Sequence, residues 1–126
     1  MTVEIIAYDE EQLTVTYQTS GAFSSETASR VLEGTKKVVN DSHGTGYAAH
    51  RDDIVLAGKT GTAEIKASKD DTSGTELGWF AVFTAEETVE GPILIISMVE
   101  DVKGRGGSGY VVKKDSLVLE EWFSRN

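Results

Sequence analysis

An α+β fold is predicted for this chain: an antiparallel meander of about three core strands plus an N-terminal hairpin, covered by two amphipathic helices. Three observations carry that prediction. Two stripes of apolar residues at helical spacing flank a central region whose apolar residues follow a strand period. Within that region the connections 67–76 and 85–92 are polar and too short for a parallel crossover, so the strands must run antiparallel. The length of 126 residues suits one domain and not two.

Taken in order, residues 3–8 and 13–17 are β-rich runs around the polar bend Asp9-Glu10-Glu11-Gln12, which predicts a hairpin. Ser24 or Ser25 offers an N-cap, and Glu26 places a negative charge at the positive end of a helix dipole. Ala28, Val31, Leu32, Val38 and Val39 then share a stripe with Thr35, while Glu33, Lys36 and Lys37 fall outside it. Residues 24–39 therefore form an amphipathic helix packed on something apolar. A loop over 40–50 leads into strands at 54–66, 77–84 and 93–100. Because Ile93-Leu94-Ile95-Ile96 is apolar on both faces, it should be the most buried strand. Beyond a glycine-rich bend, Val111, Val112, Val118, Leu119, Trp122 and Phe123 recur on one helical face. Lys113, Lys114, Glu120 and Glu121 lie opposite, with Leu117 out of pattern, so a second amphipathic helix closes the chain. No repeat or linker divides residues 1–126, which read as a single domain whose first 23 residues have no assigned place beside the main sheet.

Composition excludes several classes of function. A net charge of -9 argues against a nucleic-acid partner, which needs clustered Lys and Arg. The absence of cysteine removes disulfides, thiolate catalysis and thiolate metal sites. No apolar run approaches the ~20 residues that span a bilayer, and the N-terminus lacks the layout of a signal peptide.

Several motifs fail on their context. Gly58-Lys59-Thr60 ends like a phosphate-binding loop, but Asp53 stands where that loop needs its first glycine. Gly104, Gly106 and Gly109 match a dinucleotide fingerprint in letters only, since no parallel strand or distant acidic residue can follow. His43 and His50, the only histidines, have no ligand spacing around them and read as polar loop residues, so no metal and no cofactor is expected. Residues 69–76 begin with Lys where a calcium loop needs Asp, and Asn40-Asp41-Ser42 is a tripeptide that chance supplies easily.

Lys59-Thr60-Gly61-Thr62-Ala63-Glu64 differs, because its surroundings fit as well as its letters. It lies in a predicted strand, followed by the strand Trp79-Phe80-Ala81-Val82-Phe83 and a terminal helix, and preceded by a helix and the Gly44-Thr45-Gly46 loop. That order resembles the penicillin-binding proteins and serine β-lactamases, whose three motifs are S-x-x-K, S-x-N and K-S/T-G. The Ala63-Glu64 extension is similar to the high-molecular-weight transpeptidases, especially Gram-positive ones of the low-affinity, antibiotic-resistance kind. The resemblance covers residues 24–123 and implies a partial penicillin-binding transpeptidase fold, the C-terminal part of the catalytic domain. It further implies a D,D-transpeptidase that cross-links peptidoglycan at the extracytoplasmic face of a bacterial membrane, with a targeting segment outside this chain. The partners implied are a peptidoglycan stem peptide or β-lactam and the N-terminal part of the parent domain.

Site roles follow from the same resemblance. The backbone N–H of Thr62 is an oxyanion-hole donor, and fixed donors of that kind stabilise a tetrahedral oxyanion best. Gly61 lets substrate lie against the strand, and Thr60 and Thr62, on one face by alternation, offer hydroxyls to a terminal carboxylate. Lys59 supplies positive charge that attracts that anion and tunes proton transfer. No serine is followed three residues later by lysine, and the one S-x-N, Ser124-Arg125-Asn126, stands after the K-T-G run instead of before it. The chain therefore holds a binding and oxyanion wall without a nucleophile and should be inactive alone. An alternative is a non-catalytic module that binds cell-wall peptide or a protein through an exposed sheet edge, and such an edge also predicts self-association. A reading frame that continues upstream with S-x-x-K and S-x-N decides between the two.

Overall fold

The structure is a computed structural model that describes residues 3–5, 15–17 and 21–125. It divides into two compact units, Met1–Val31 and Leu32–Asn126, with the boundary inside the first helix. In the first unit, strands β1 (Val3–Ile5) and β2 (Val15–Tyr17) pair antiparallel, Val3 opposite Tyr17 and Ile5 opposite Val15, as a sheet of their own. The rest of the expected hairpin, residues 6–14, lies outside the described residues. Helix α1 (Ser25–Asn40) starts where its cap predicts: the Thr27 amide donates to Ser24 Oγ at 3.1 Å, satisfying one of the first-turn donors that have no partner within the helix.

The second unit holds the C-terminal half of α1, a 3-10 turn (Tyr47–Ala49), strands β3 (Leu56–Glu64), β4 (Glu76–Thr84) and β5 (Leu94–Val99), and helix α2 (Ser108–Phe123). The three strands form an antiparallel meander in the order β3-β4-β5, which agrees with the expected α+β class. Alternation sends Leu56, Phe80 and Val82 to one face, where they are fully buried with Val39, Val102, Val111, Val112 and Leu119. Gly78 sits on this face where α2 and the segment before it approach β4. A Cβ there would come within 2.7 Å of Val102 Cγ1 and 3.0 Å of Val111 Cγ2, so only a residue without a side chain lets the layers close. The connection from β5 to α2 needs glycine for a different reason: Gly104, Gly106 and Gly107 all adopt positive φ, at 74°, 99° and 61°.

Two expectations are corrected. β5 is not the most buried strand but an edge strand, with Leu94 62% and Ile96 63% exposed on the face away from α2. An apolar run specifies what a strand can tolerate, whereas its burial depends on which neighbours reach it. In α1 the apolar stripe is only partly used, Val39 being its one buried residue.

The buried face of α2 also carries a carboxylate. Asp115 is 3% exposed; Ser97 Oγ donates to its Oδ1 at 2.7 Å, and its Oδ2 has no hydrogen-bond partner among the described residues. Burial pushes its carboxyl pKa up, against the smaller opposing effect of the Ser97 hydroxyl.

Candidate functional site

The Lys59-Thr60-Gly61-Thr62 run occupies the middle of β3, an outer strand of its sheet. Which backbone groups it presents follows from the register. Hydrogen bonds run from the Ile65 amide to Thr75 O at 2.9 Å and from the Ala85 amide to Val55 O at 2.9 Å. In an antiparallel ladder every second residue bonds across to the partner strand, so the odd-numbered residues of β3 bond to β4. The N–H and C=O groups of Leu56, Gly58, Thr60, Thr62 and Glu64 therefore point to the free edge. Two side chains already cap that edge, Asn40 Nδ2 donating to Leu56 O at 2.8 Å and Lys59 Nζ to Thr60 O at 2.6 Å.

Side chains divide the same way. Thr60 and Thr62 share the face that carries Phe80, and Thr60 is 8% exposed while Thr62 is open to solvent. Thr45, from the loop after α1, reaches Thr60, with 2.7 Å between the two hydroxyl oxygens. One of two paired hydroxyls donates to the other, so the pair keeps a single proton for an external acceptor. The loop that carries Thr45 is pinned by the Gly46 amide donating to Val38 O at 2.9 Å. Gly44 and Gly46 flank Thr45 in the sequence, but nothing in the letters shows that its hydroxyl meets Thr60.

Lys59 is on the opposite face, exposed except for its bond to the Thr60 carbonyl. Gly61 carries a different message from Gly78. Among the described residues a Cβ there would meet only Trp79 Cβ at 3.6 Å, an ordinary contact, so their packing does not demand glycine at this position. Gly107 borders the far end of the run, where a Cβ would lie 3.6 Å from Thr62 Oγ1.

At the near end, His50 lies between Asn40 Oδ1 and Asp52 Oδ1, each 3.2 Å away, and stacks on Tyr47. Together with the Asn40–Leu56 bond this ties the end of α1 to the start of β3. Among the described residues no group of three or more His, Asp and Glu side chains could hold a metal ion. The strand thus offers outward backbone donors, two hydroxyls and one ammonium, a set whose chemistry suits an extended, anionic ligand; no nucleophile–base pair lies beside it in the sequence.

Comparison with known proteins agrees with the family resemblance. A family model described as the penicillin binding protein transpeptidase domain matches residues 1–116. Penicillin-binding protein 3 of Bacillus subtilis (strain 168) is 45% identical over 91 residues, which is 72% of this chain. The matched region is 13% of that relative's length.

Proposed function

Because this chain belongs to the transpeptidase-domain family of penicillin-binding proteins, we propose that β3 is one wall of a D,D-transpeptidase active site. The observation that carries the reading is the outward aim of the Thr60 and Thr62 backbone groups along a strand edge that no other described strand covers. An extended peptide ending in D-Ala-D-Ala, or a β-lactam, lies along that edge as an added strand. The Thr62 N–H polarises the reacting carbonyl, and its hydroxyl together with the Thr45–Thr60 pair receives the terminal carboxylate. Lys59 supplies the cation of the site. Gly61 leaves room for the ligand backbone, in keeping with the absence of any internal reason for glycine there.

The nucleophile then comes from a further part of the domain. The sheet face with the exposed Trp79, Leu94, Ile96 and Met98, and the edge of β5 that no described strand covers, are where that part packs. The complete protein works outside the cell, at the membrane face where peptidoglycan is cross-linked; none of the helices described here is long and apolar enough to cross a membrane.

Two measurements test this. Incubated with a fluorescent penicillin, the isolated chain gives no covalent band on a denaturing gel, since no acylable serine has its lysine one helical turn away. A stable stoichiometric adduct would overturn the assignment of roles. Titration of the 15N-labelled chain with a D-Ala-D-Ala-terminated peptide at millimolar concentration shifts the amides of residues 60–63; silence along β3 counts against the binding wall.

A further inference from the structure

The Thr62 end of β3 runs directly into the β3–β4 loop, residues 65–75, and borders the glycine-rich connection that precedes α2. These two segments come from distant parts of the sequence, and one side chain joins them. Lys103 Nζ donates to the backbone carbonyl of Thr72 and, at 3.1 Å, to that of Gly74. The lysine has a firm base: the Val102 amide donates to Glu76 O at 2.9 Å, and Val102 is fully buried. The Lys103 amide itself donates to Asp101 Oδ1 at 3.2 Å.

The loop has a staple of its own as well. Asp71 accepts from the Ala67 amide at 3.1 Å, the Ser73 amide at 2.8 Å and the Ser73 hydroxyl at 2.5 Å. Those bonds, the hydroxyl first, hold its carboxyl at a pKa of about 2, with the nearby Lys103 charge adding to them. Gly74 closes the loop on its own first residue, where a Cβ would fall 1.7 Å from Ile65 O. The Asp71 bonds shape the loop internally, but none of them joins it to another segment. A half-open cleft of about 160 Å³ lies between the loop residues Asp71, Thr72 and Gly74 and the side chains of Glu64, Glu76 and Lys103.

We infer that Lys103 is a positioning residue, a strap that seats the β3–β4 loop on the connection before α2 and so gives the surface beyond Thr62 one geometry. An ammonium suits this task, because its three donors serve two carbonyls at once and a charged donor makes the stronger bond. The strap stands on apo geometry; only its consequence for ligand rests on β3 being the binding wall.

Amide hydrogen exchange on the whole chain tests it. Lys103→Met keeps the aliphatic stem and removes every donor. The amides of residues 67–75 then exchange about ten-fold faster while β4 and β5 keep their protection, and Lys103→Arg returns the loop close to wild type. Unchanged loop exchange in K103M overturns the strap. So does loss of protection spreading through β4 and β5, which would make Lys103 a general stabiliser, or failure of arginine to rescue. The D-Ala-D-Ala titration separates the two readings: a wild-type chain silent to the peptide removes the binding wall and leaves the exchange result to decide the strap.

Discussion

At the scale of single residues, the two polar side chains buried among the described residues of the second unit have opposite costs. Thr60 is paired through its hydroxyl, and neutral hydroxyls in contact lose little on burial. Asp115 buries a carboxylate with one donor, Ser97, and an Oδ2 without a partner among the described residues. Its raised pKa has a definite sign. The native state keeps a proton on Asp115 at pH values where the unfolded chain has released it, so this group's contribution falls as pH rises from about 4 through the native pKa. Asp115→Asn removes that slope. Wild type minus D115N stability, from urea midpoints at pH 5 and pH 7.5, should therefore be more favourable to wild type at the lower pH; equal differences would show that the carboxylate does not titrate on folding. No periodicity argument could have found Asp115, because it is the one acid on the apolar face of α2, and its partner is 18 positions away on β5. The Thr45–Thr60 pair was hidden for the same reason: tertiary geometry, not spacing, brings the hydroxyls together.

At the scale of elements, the strands and helices were legible to within a few residues because local signals marked them. Ser24 caps α1, strand period gives way to helical period after Gly107, and the connections are too short for any but antiparallel pairing. Burial was less legible. The sequence shows β5 as apolar on both faces, yet only neighbouring elements decide which face is covered, and α2 covers just one. The contact of α2 with β4 rests on Gly78, and substitution there measures how tightly the layers fit. Gly78→Ala pushes against Val102 and Val111 at 2.7 to 3.0 Å, costing about 1–3 kcal/mol as overpacking of a closed core. Gly61→Ala, on the same sheet but facing only Trp79, should leave stability within ~0.5 kcal/mol. Thermal unfolding of the two variants side by side gives the comparison, and a G61A as destabilised as G78A would mean that Gly61 serves the fold and not a ligand.

At the scale of the whole molecule, α2 layers one face of the second unit's sheet, and no other described element of that unit covers the opposite face. Trp79, Leu94, Ile96 and Met98 are 41%, 62%, 63% and 43% exposed, a contiguous apolar surface of a kind that soluble monomers rarely carry. The same strand leaves its backbone open. The Thr84 amide bonds Ile93 O at 3.1 Å, which by alternation sends the N–H and C=O groups of Leu94, Ile96 and Met98 to the outer edge. An unpaired edge flanked by exposed aliphatic side chains is a template for another strand. Under the proposed function that place takes the rest of the domain; in the isolated chain it is open to a second copy, against the repulsion of a net charge of -9. Association should therefore rise with ionic strength, since salt screens the repulsion and leaves the apolar contact intact. Ile96→Lys places a charge in the middle of both the face and the edge, and sedimentation velocity should show it more monomeric than wild type at equal concentration and salt. Because Ile96 is exposed, the substitution should change unfolding stability by only ~0.5 kcal/mol, which separates loss of association from loss of fold. A wild-type chain that stays monomeric at high concentration and high salt would leave this face without attraction for its own kind.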